Sequence, residues 1–241
     1  MIYILRMIAV AIFAIVTFVF GCGYCLFSPR NPKHVYTFGR LFSKMSRVIG
    51  IKLEIRYAEG ADQVGPAVYI ANHQNTYDLF TVSGAIMQRT VTVGKKSLVW
   101  IPLFGQLYWI TGNILIDRAN RSKAVGTIGQ VVDKIKKNKV SVWMFPEGTR
   151  SRGRGLLPFK TGAFHAAIGA QVPVVPIVCS STDNVKLNRW DNGLVIVEVM
   201  KPIATVGLGK EDVRNLLTQS RDLMAVKLAE LDQEVAQRNK H

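Results

Sequence analysis

Residues 7–27 run without a charged side chain, and downstream of them short apolar runs alternate with polar breaks. An uncharged stretch of that length is enough for one transmembrane helix or a membrane-embedded hairpin, with Gly21 and Gly23 making its end irregular. After Pro29 and Pro32, Val35, Phe38, Phe42, Met45 and Ile49 recur at three- and four-residue steps with Arg40, Lys44 and Arg47 between them. That spacing predicts an amphipathic, cationic helix. Beside a membrane segment it is expected to lie in the interface rather than to pack on the domain core. Ile51, Leu53, Ile55 and Tyr57 then alternate with Lys52, Glu54 and Arg56, the period of a half-exposed strand. A globular domain is expected to begin here.

Val68, Tyr69, Ile70 and Ala71 have the length and composition of a buried strand, and Asn75 or Thr76 is placed to cap a helix through Leu79, Phe80, Val82 and Ile86. Further strands are predicted at residues 91–93, 114–116, 140–145, 172–179 and 194–200, and helices at 125–135, 161–170 and from Glu211 onward. His165 in the second of these helices reads as a packing residue. Residues 98–110 are aromatic-rich but broken by Pro102 and Gly105, too short to span a bilayer, and suit either core or a surface for acyl chains and the membrane interface. Pro173 and Pro176 argue that the strand at 172–179 lies at a sheet edge or bulge rather than centrally. Strands alternating with helices predict an α/β fold, a mixed sheet flanked by helices, with an N-terminal membrane-embedded helical segment. Residues 1–50 are expected to anchor the chain and residues 51–241 to form the α/β domain.

Charge narrows the partners. Thirty-one Lys and Arg against sixteen Asp and Glu give a formal charge of +15, which suits phospholipid surfaces, phosphorylated substrates, an acidic carrier protein or nucleic acid. Arg6 precedes the uncharged run, whereas Arg30, Lys33, Arg40, Lys44 and Arg47 follow it, so the positive-inside rule puts the body of the protein in the cytoplasm. No small-x-small cleavage site follows the run, which disfavours a cleaved signal peptide. Cys22, Cys25 and Cys179 are too few for a disulfide framework, and the first two lie in an apolar run with no second ligand pair for a metal.

Candidate chemistry sits where the strand at 68–71 stops. On a continuous helix His73 and Asp78 would point about 140° apart, but in a turn entering a helix they can meet. Asp78 in the first turn would accept the Nδ1 proton of His73 and leave Nε2 free as a base. In open α/β sheets the loops after strands gather along one edge, which would bring His73 together with Lys95 or Lys96, Arg118 and Arg150. Guanidinium forks suit phosphate, so a base among them points to transfer onto a phosphorylated alcohol. A binding protein without catalysis would account for the charge but not for the His–Asp pair. A serine hydrolase would need a Gly-x-Ser-x-Gly that is absent.

Four ordered stretches carry a resemblance: His73-x4-Asp78, Gly-Asn-Ile-Leu-Ile-Asp-Arg at 112–118, Phe-Pro-Glu-Gly-Thr-Arg-Ser at 145–151 and Val-Pro-Val-Val-Pro at 172–176. They resemble the motifs of the glycerolipid acyltransferases, above all bacterial members, over essentially the whole chain. Leu115 stands where a Phe is usual and Asn75 where a Ser is usual. The resemblance implies acyl transfer from acyl-CoA or acyl-acyl-carrier-protein to the 2-hydroxyl of lysophosphatidic acid, giving phosphatidic acid for phospholipid synthesis. It implies His73 and Asp78 as the catalytic pair. For the acceptor's phosphate it implies Arg118 and the loop Glu147, Gly148, Thr149 and Arg150, with Glu147 orienting an arginine and Lys96 as a further cation. Pro176 is carried over as a residue on the acyl-donor side. No cofactor, no metal and no nucleic acid partner is implied. The expected location is the anionic cytoplasmic (inner) membrane of a bacterium, with the catalytic domain facing the cytoplasm.

Overall fold

The N-terminal apolar run folds as one continuous helix, α1 (Ile2–Leu26), rather than a hairpin. The computed structural model describes residues 1–117 and 121–239, apart from the side chains at 121–125. By length and composition α1 is able to cross a membrane. It does not stand away from the rest of the chain. Arg6 is 5% exposed because its guanidinium donates to the backbone carbonyls of Val48 at 2.9 Å, Leu187 at 3.1 Å, Trp190 at 2.8 Å and Arg189. It is thus a docking residue rather than a free flanking charge. Farther along, Phe13 meets Phe42 edge-on and Gly21 lies against the Phe38 ring, where a Cβ would come within 2.9 Å.

The basic stretch that follows forms α2 (Lys33–Lys44). Its apolar face is not interfacial. The helix stops at Lys44, short of the expected Ile49; Val35 on it and Met45 and Ile49 in the turns after it are buried in the cluster that covers one face of the sheet, while Phe38 packs with Cys25 and Leu107. The expected boundary at residue 50 is therefore not a gap in the packing. Periodicity identified the apolar face, but the domain itself covers it.

Among the described residues the strands are β1 (Lys52–Tyr57), β2 (Val68–Ala71), β3 (Thr90–Lys95), β4 (Ile114–Ile116), β5 (Ser141–Met144), β6 (Val174–Cys179) and β7 (Leu194–Val199). They form one sheet in the order β1-β7-β6-β2-β5-β3-β4. All pairs are parallel except β6 with β7, so β2 to β6 end at one edge and β1 and β7 run the other way. Helices α4 (Arg121–Asn138), α5 (Gly162–Ala170) and α6 (Val213–Arg238) cover one face, where Val68, Ile70, Val142 and Val178 pack on Phe164, Val131, Leu216 and Met224. On the other face, Tyr69, Trp143, Val175 and Ile177 meet Val82, Ile86 and the α2 residues. A short helix, α3 (Phe104–Ile110), packs beside α1. His165 is exposed on α5 rather than packed.

Two local expectations change. β6 is central, between β7 and β2, although it contains Pro176. The missing N–H is tolerated because β7 has already ended opposite it. Met200 N–H donates to the Pro176 carbonyl, and the pairing then resumes at Val174 with Ile203, three residues bulging past two. The helix expected after Asn75 is instead two 3-10 turns, Thr76–Leu79 and Val82–Ala85. The hydroxyls of Thr81 and Ser83 donate back to the carbonyls of Tyr77 and Leu79 and compete with helical continuation. The second turn is pressed onto α2, where a Cβ on Gly39 would sit 2.7 Å from the Ser83 carbonyl oxygen. Gly39→Ala gains up to about 1 kcal/mol of helix propensity but overpacks against rigid backbone at about 1–3 kcal/mol. We expect a lowered thermal midpoint; a raised one would mean that α2 shifts freely.

Candidate active site

β2 delivers the chain to the edge at Ala71, and the next residues turn sharply. Asn75 caps the first 3-10 turn, its side-chain oxygen accepting from Tyr77 N–H at 2.8 Å. That places Asp78 in the turn, facing back. His73 Nδ1 donates to Asp78 Oδ2 at 2.6 Å, and the same oxygen accepts from the N–H groups of Gln74 at 2.8 Å and Asn75 at 3.3 Å. The His73 side chain is 20% exposed and the Asp78 side chain 4%, so the carboxylate is sealed below an imidazole that reaches solvent. With Nδ1 committed as donor, Nε2 holds the lone pair that can take a proton. Phe145, at the end of β5, stacks on the imidazole with centroids 4.1 Å apart and fixes its plane.

The backbone of this loop is held from below by side chains that the sequence reading did not single out. Asn72 exchanges two hydrogen bonds with the backbone of Cys179, at 2.9 and 2.8 Å. Gln74 donates to the carbonyls of Cys179 and Ser180 and accepts from Thr182 N–H. These amides tie the end of β2 to the end of β6. A polar residue on each side of His73, directly after a buried strand, was the available signal.

Glu147 plays a different part from the one expected. It is 3% exposed, and its two oxygens accept the backbone N–H of His73 at 2.7 Å and of Leu157 at 3.0 Å, not an arginine. Burial pushes its carboxyl above the usual range, against the opposing pull of those two donors. Gly148 has φ +70° and makes the turn after it, its N–H bonded to the Phe145 carbonyl. Thr149 and Arg150 are exposed on the same loop, and Lys96, also exposed, opens a 3-10 turn at the end of β3. Lys160, overlooked in the sequence, lies over the turn, its Nζ 3.1 Å from where a Cβ on Gly148 would stand. Arg118 lies outside the described residues. Pro176 is not brought to this edge: it is buried within β6 and paired with Ile70.

Among the described residues the arrangement offers a base but no activated nucleophile. Cys179 is fully buried, its thiol 3.8 Å from Thr81 Oγ1, and burial first and the Asp78 charge second push its ionisation upward. Thr76 is exposed on the capped turn, with Asn75 rather than Thr76 as the cap.

A family model described as Acyltransferase matches residues 52–180, the stretch from β1 to just past β6 that holds this edge. The 1-acyl-sn-glycerol-3-phosphate acyltransferase of Escherichia coli (strain K12) is 59% identical over 99% of this chain and 98% of its own. The protein of the same name from Haemophilus influenzae is 52% identical over 99% and 100%. The human alpha form is 34% identical over 86% of this chain and 74% of its own. In fold, the chain matches the crystal structure of the 1-acyl-sn-glycerophosphate (LPA) acyltransferase, PlsC, from Thermotoga maritima, with a TM-score of 0.69 and 23% identity over 95% and 97% of the two chains. Shared sequence over nearly the full length, with the family pattern lying on the strands that carry His73, Asp78 and Glu147, makes this an enzyme that belongs to the 1-acyl-sn-glycerol-3-phosphate acyltransferase family.

Proposed function

We propose that the protein transfers a fatty acyl group from a thioester, acyl-CoA or acyl-acyl-carrier-protein, to the 2-hydroxyl of 1-acyl-glycerol-3-phosphate, releasing the thiol and phosphatidic acid. The carrying observation is the 2.6 Å bond from His73 to a buried Asp78 at an edge that also bears exposed basic residues. His73 Nε2 takes the hydroxyl proton as the oxygen attacks the thioester carbonyl. It returns that proton to the leaving sulfur when the C–S bond breaks. Asp78 fixes the tautomer and stabilises the transient imidazolium. Glu147 positions the loop through the His73 backbone. Lys96, Arg118, Arg150 and Lys160 are the cations for the acceptor's phosphate, held over the turn formed by Gly148 and Thr149. Both donors are thioesters and share this chemistry.

Residues 51–241 carry the transfer, and residues 1–50 hold it at the cytoplasmic face of a bacterial inner membrane. The support is the exposed apolar surface of α1, continued by exposed Trp100 and Trp109 near α3. An anionic membrane also suits the +15 charge.

Because the edge offers a base without a nucleophile, the mechanism is direct and both substrates bind together. With purified protein and palmitoyl-CoA, thiol release should require lysophosphatidic acid, initial-rate plots should intersect, and radiolabelled donor alone should leave no label on the denatured chain. Thiol release without acceptor, or parallel lines with stoichiometric label, would overturn this assignment.

A further inference from the structure

A cavity of about 610 Å³ lies far from His73. Arg89 and Val140, which line it, immediately precede β3 and β5, so it opens at the N-terminal ends of strands whose C-terminal ends carry the catalytic edge. The six residues of β3 separate the two edges by roughly 20 Å. Among the described residues lining it, the cations are Arg30, Lys33, Arg89, Lys134 and Lys137, and there is no Asp or Glu.

Three of these cations, Arg30, Lys134 and Arg89, are held in place by backbone. Arg30 N–H donates to the Ile110 carbonyl at 2.8 Å, and its guanidinium lies over the Trp109 ring, 4.9 Å from the centroid. Gly112, at φ +87°, allows this approach: a Cβ there would meet the Arg30 carbonyl oxygen at 3.0 Å. Lys134 Nζ donates to the Gly112 carbonyl at 2.6 Å, and Arg89 donates to the Asn138 carbonyl at the end of α4 at 2.8 Å. Burial, and after it the charge of Arg30, hold the Lys134 ammonium below its usual range. Lys137 Nζ lies 4.0 Å from Asp133 Oδ2, but among the described residues Arg30, Lys33, Arg89 and Lys134 form no ion pair, and an oxyanion in the cavity relieves their mutual repulsion.

The rim identifies what brings the anion. Ser28 follows directly on Leu26 and Phe27, which are 70% and 92% exposed, Arg30 comes two residues later, and Trp109 is 49% exposed under Arg30. A soluble phosphate gains nothing from that apolar rim, whereas a phospholipid lays its acyl chains on it. We propose that this cavity is a second phosphate site, distinct from the acceptor site, which binds the headgroup of an anionic membrane phospholipid.

Native mass spectrometry of the full chain in detergent micelles tests this with dioleoylphosphatidylglycerol and dioleoylphosphatidylcholine as probes. We expect the anionic lipid to be retained and the zwitterionic one, whose choline meets the same cations, to bind about tenfold or more weaker, the size of one charge-assisted hydrogen bond. Arg30→Gln and the exposed pair Lys33→Gln/Lys137→Gln should each weaken retention of phosphatidylglycerol by about tenfold. Arg150→Gln, at the other edge, should leave retention unchanged. Circular dichroism checks the fold, and if Arg30→Gln does not fold, the exposed pair decides. Equal retention by wild type and the exposed pair would overturn the proposal. So would loss on Arg150→Gln instead, which assigns the lipid to the acceptor site. Displacement of the lipid by equimolar inorganic phosphate would overturn it too, by making the cavity a site for free phosphate.

Discussion

His73→Ala is expected to slow acyl transfer by about 10²–10⁴-fold at saturating substrates, while the melting temperature and micelle association of the chain stay close to wild type. The two halves of this expectation come from different parts of the residue. The fold uses the backbone of His73: its N–H goes to Glu147 and its carbonyl accepts from Ser151 N–H at 2.8 Å. Neither is touched by the substitution. The side chain, 20% exposed and stacked on Phe145, lies at the open end of the site, and without it Asp78 Oδ2 still accepts its two backbone N–H groups. Asp78 offers no such clean separation, because the oxygen that orients the imidazole also accepts two backbone N–H groups of the loop. Turnover of His73→Ala within a few-fold of wild type, measured by thiol release, would remove His73 from the chemistry.

Glu147→Gln should cost about 10²-fold in kcat although it changes a single atom, since a displacement of the reacting group by about 1 Å is worth that much. Two backbone donors converge on this side chain, one per oxygen. A carboxamide supplies one acceptor and turns an NH₂ group on the other donor, leaving a buried N–H unpaired at about 1–3 kcal/mol. Losing the buried charge offsets part of that in stability, so the activity loss exceeds the stability loss. The pH dependence separates the two effects. Burial raises the Glu147 pKa in the folded state above its unfolded value, so the native chain holds this proton more tightly. Its contribution to stability is full below the ordinary glutamate range and lost as the pH rises through the raised value. In Glu147→Gln that fall should vanish from the stability profile. A variant with wild-type kcat would show that the loop does not depend on this anchor.

The His73–Asp78 contact was readable in advance because it is local: a strand, a capping Asn and a first-turn carboxylate within a few residues determine it. The basic residues at the ends of β3 and β5 were readable for the same reason, since a parallel strand fixes the edge at which its following loop emerges. What escaped was set by distant partners. The apolar stripe on α2 looks the same whether lipid or protein covers it, and only the approach of the turn at Ser83 decides. Pro176 argued against a central strand, and the residues that relieve it come after β7. Glu147 sits among basic residues in sequence, yet its partners are backbone N–H groups, one of them 74 residues away. Lys160 carries no local mark and meets Gly148 only through the fold of its loop.

The amide ties beneath His73 impose an order on how the enzyme comes into being. Asn72 and Gln74 reach partners 105 to 108 residues farther along the chain, so the catalytic loop has no floor until β6 has been made and seated beside β2. Contacts of such separation close late, after loop-closure entropy has been met by the sheet itself. A nascent chain emerging from the ribosome therefore contains His73, Asp78 and Glu147 well before it can use them. The loop is supported only once β6 is in place.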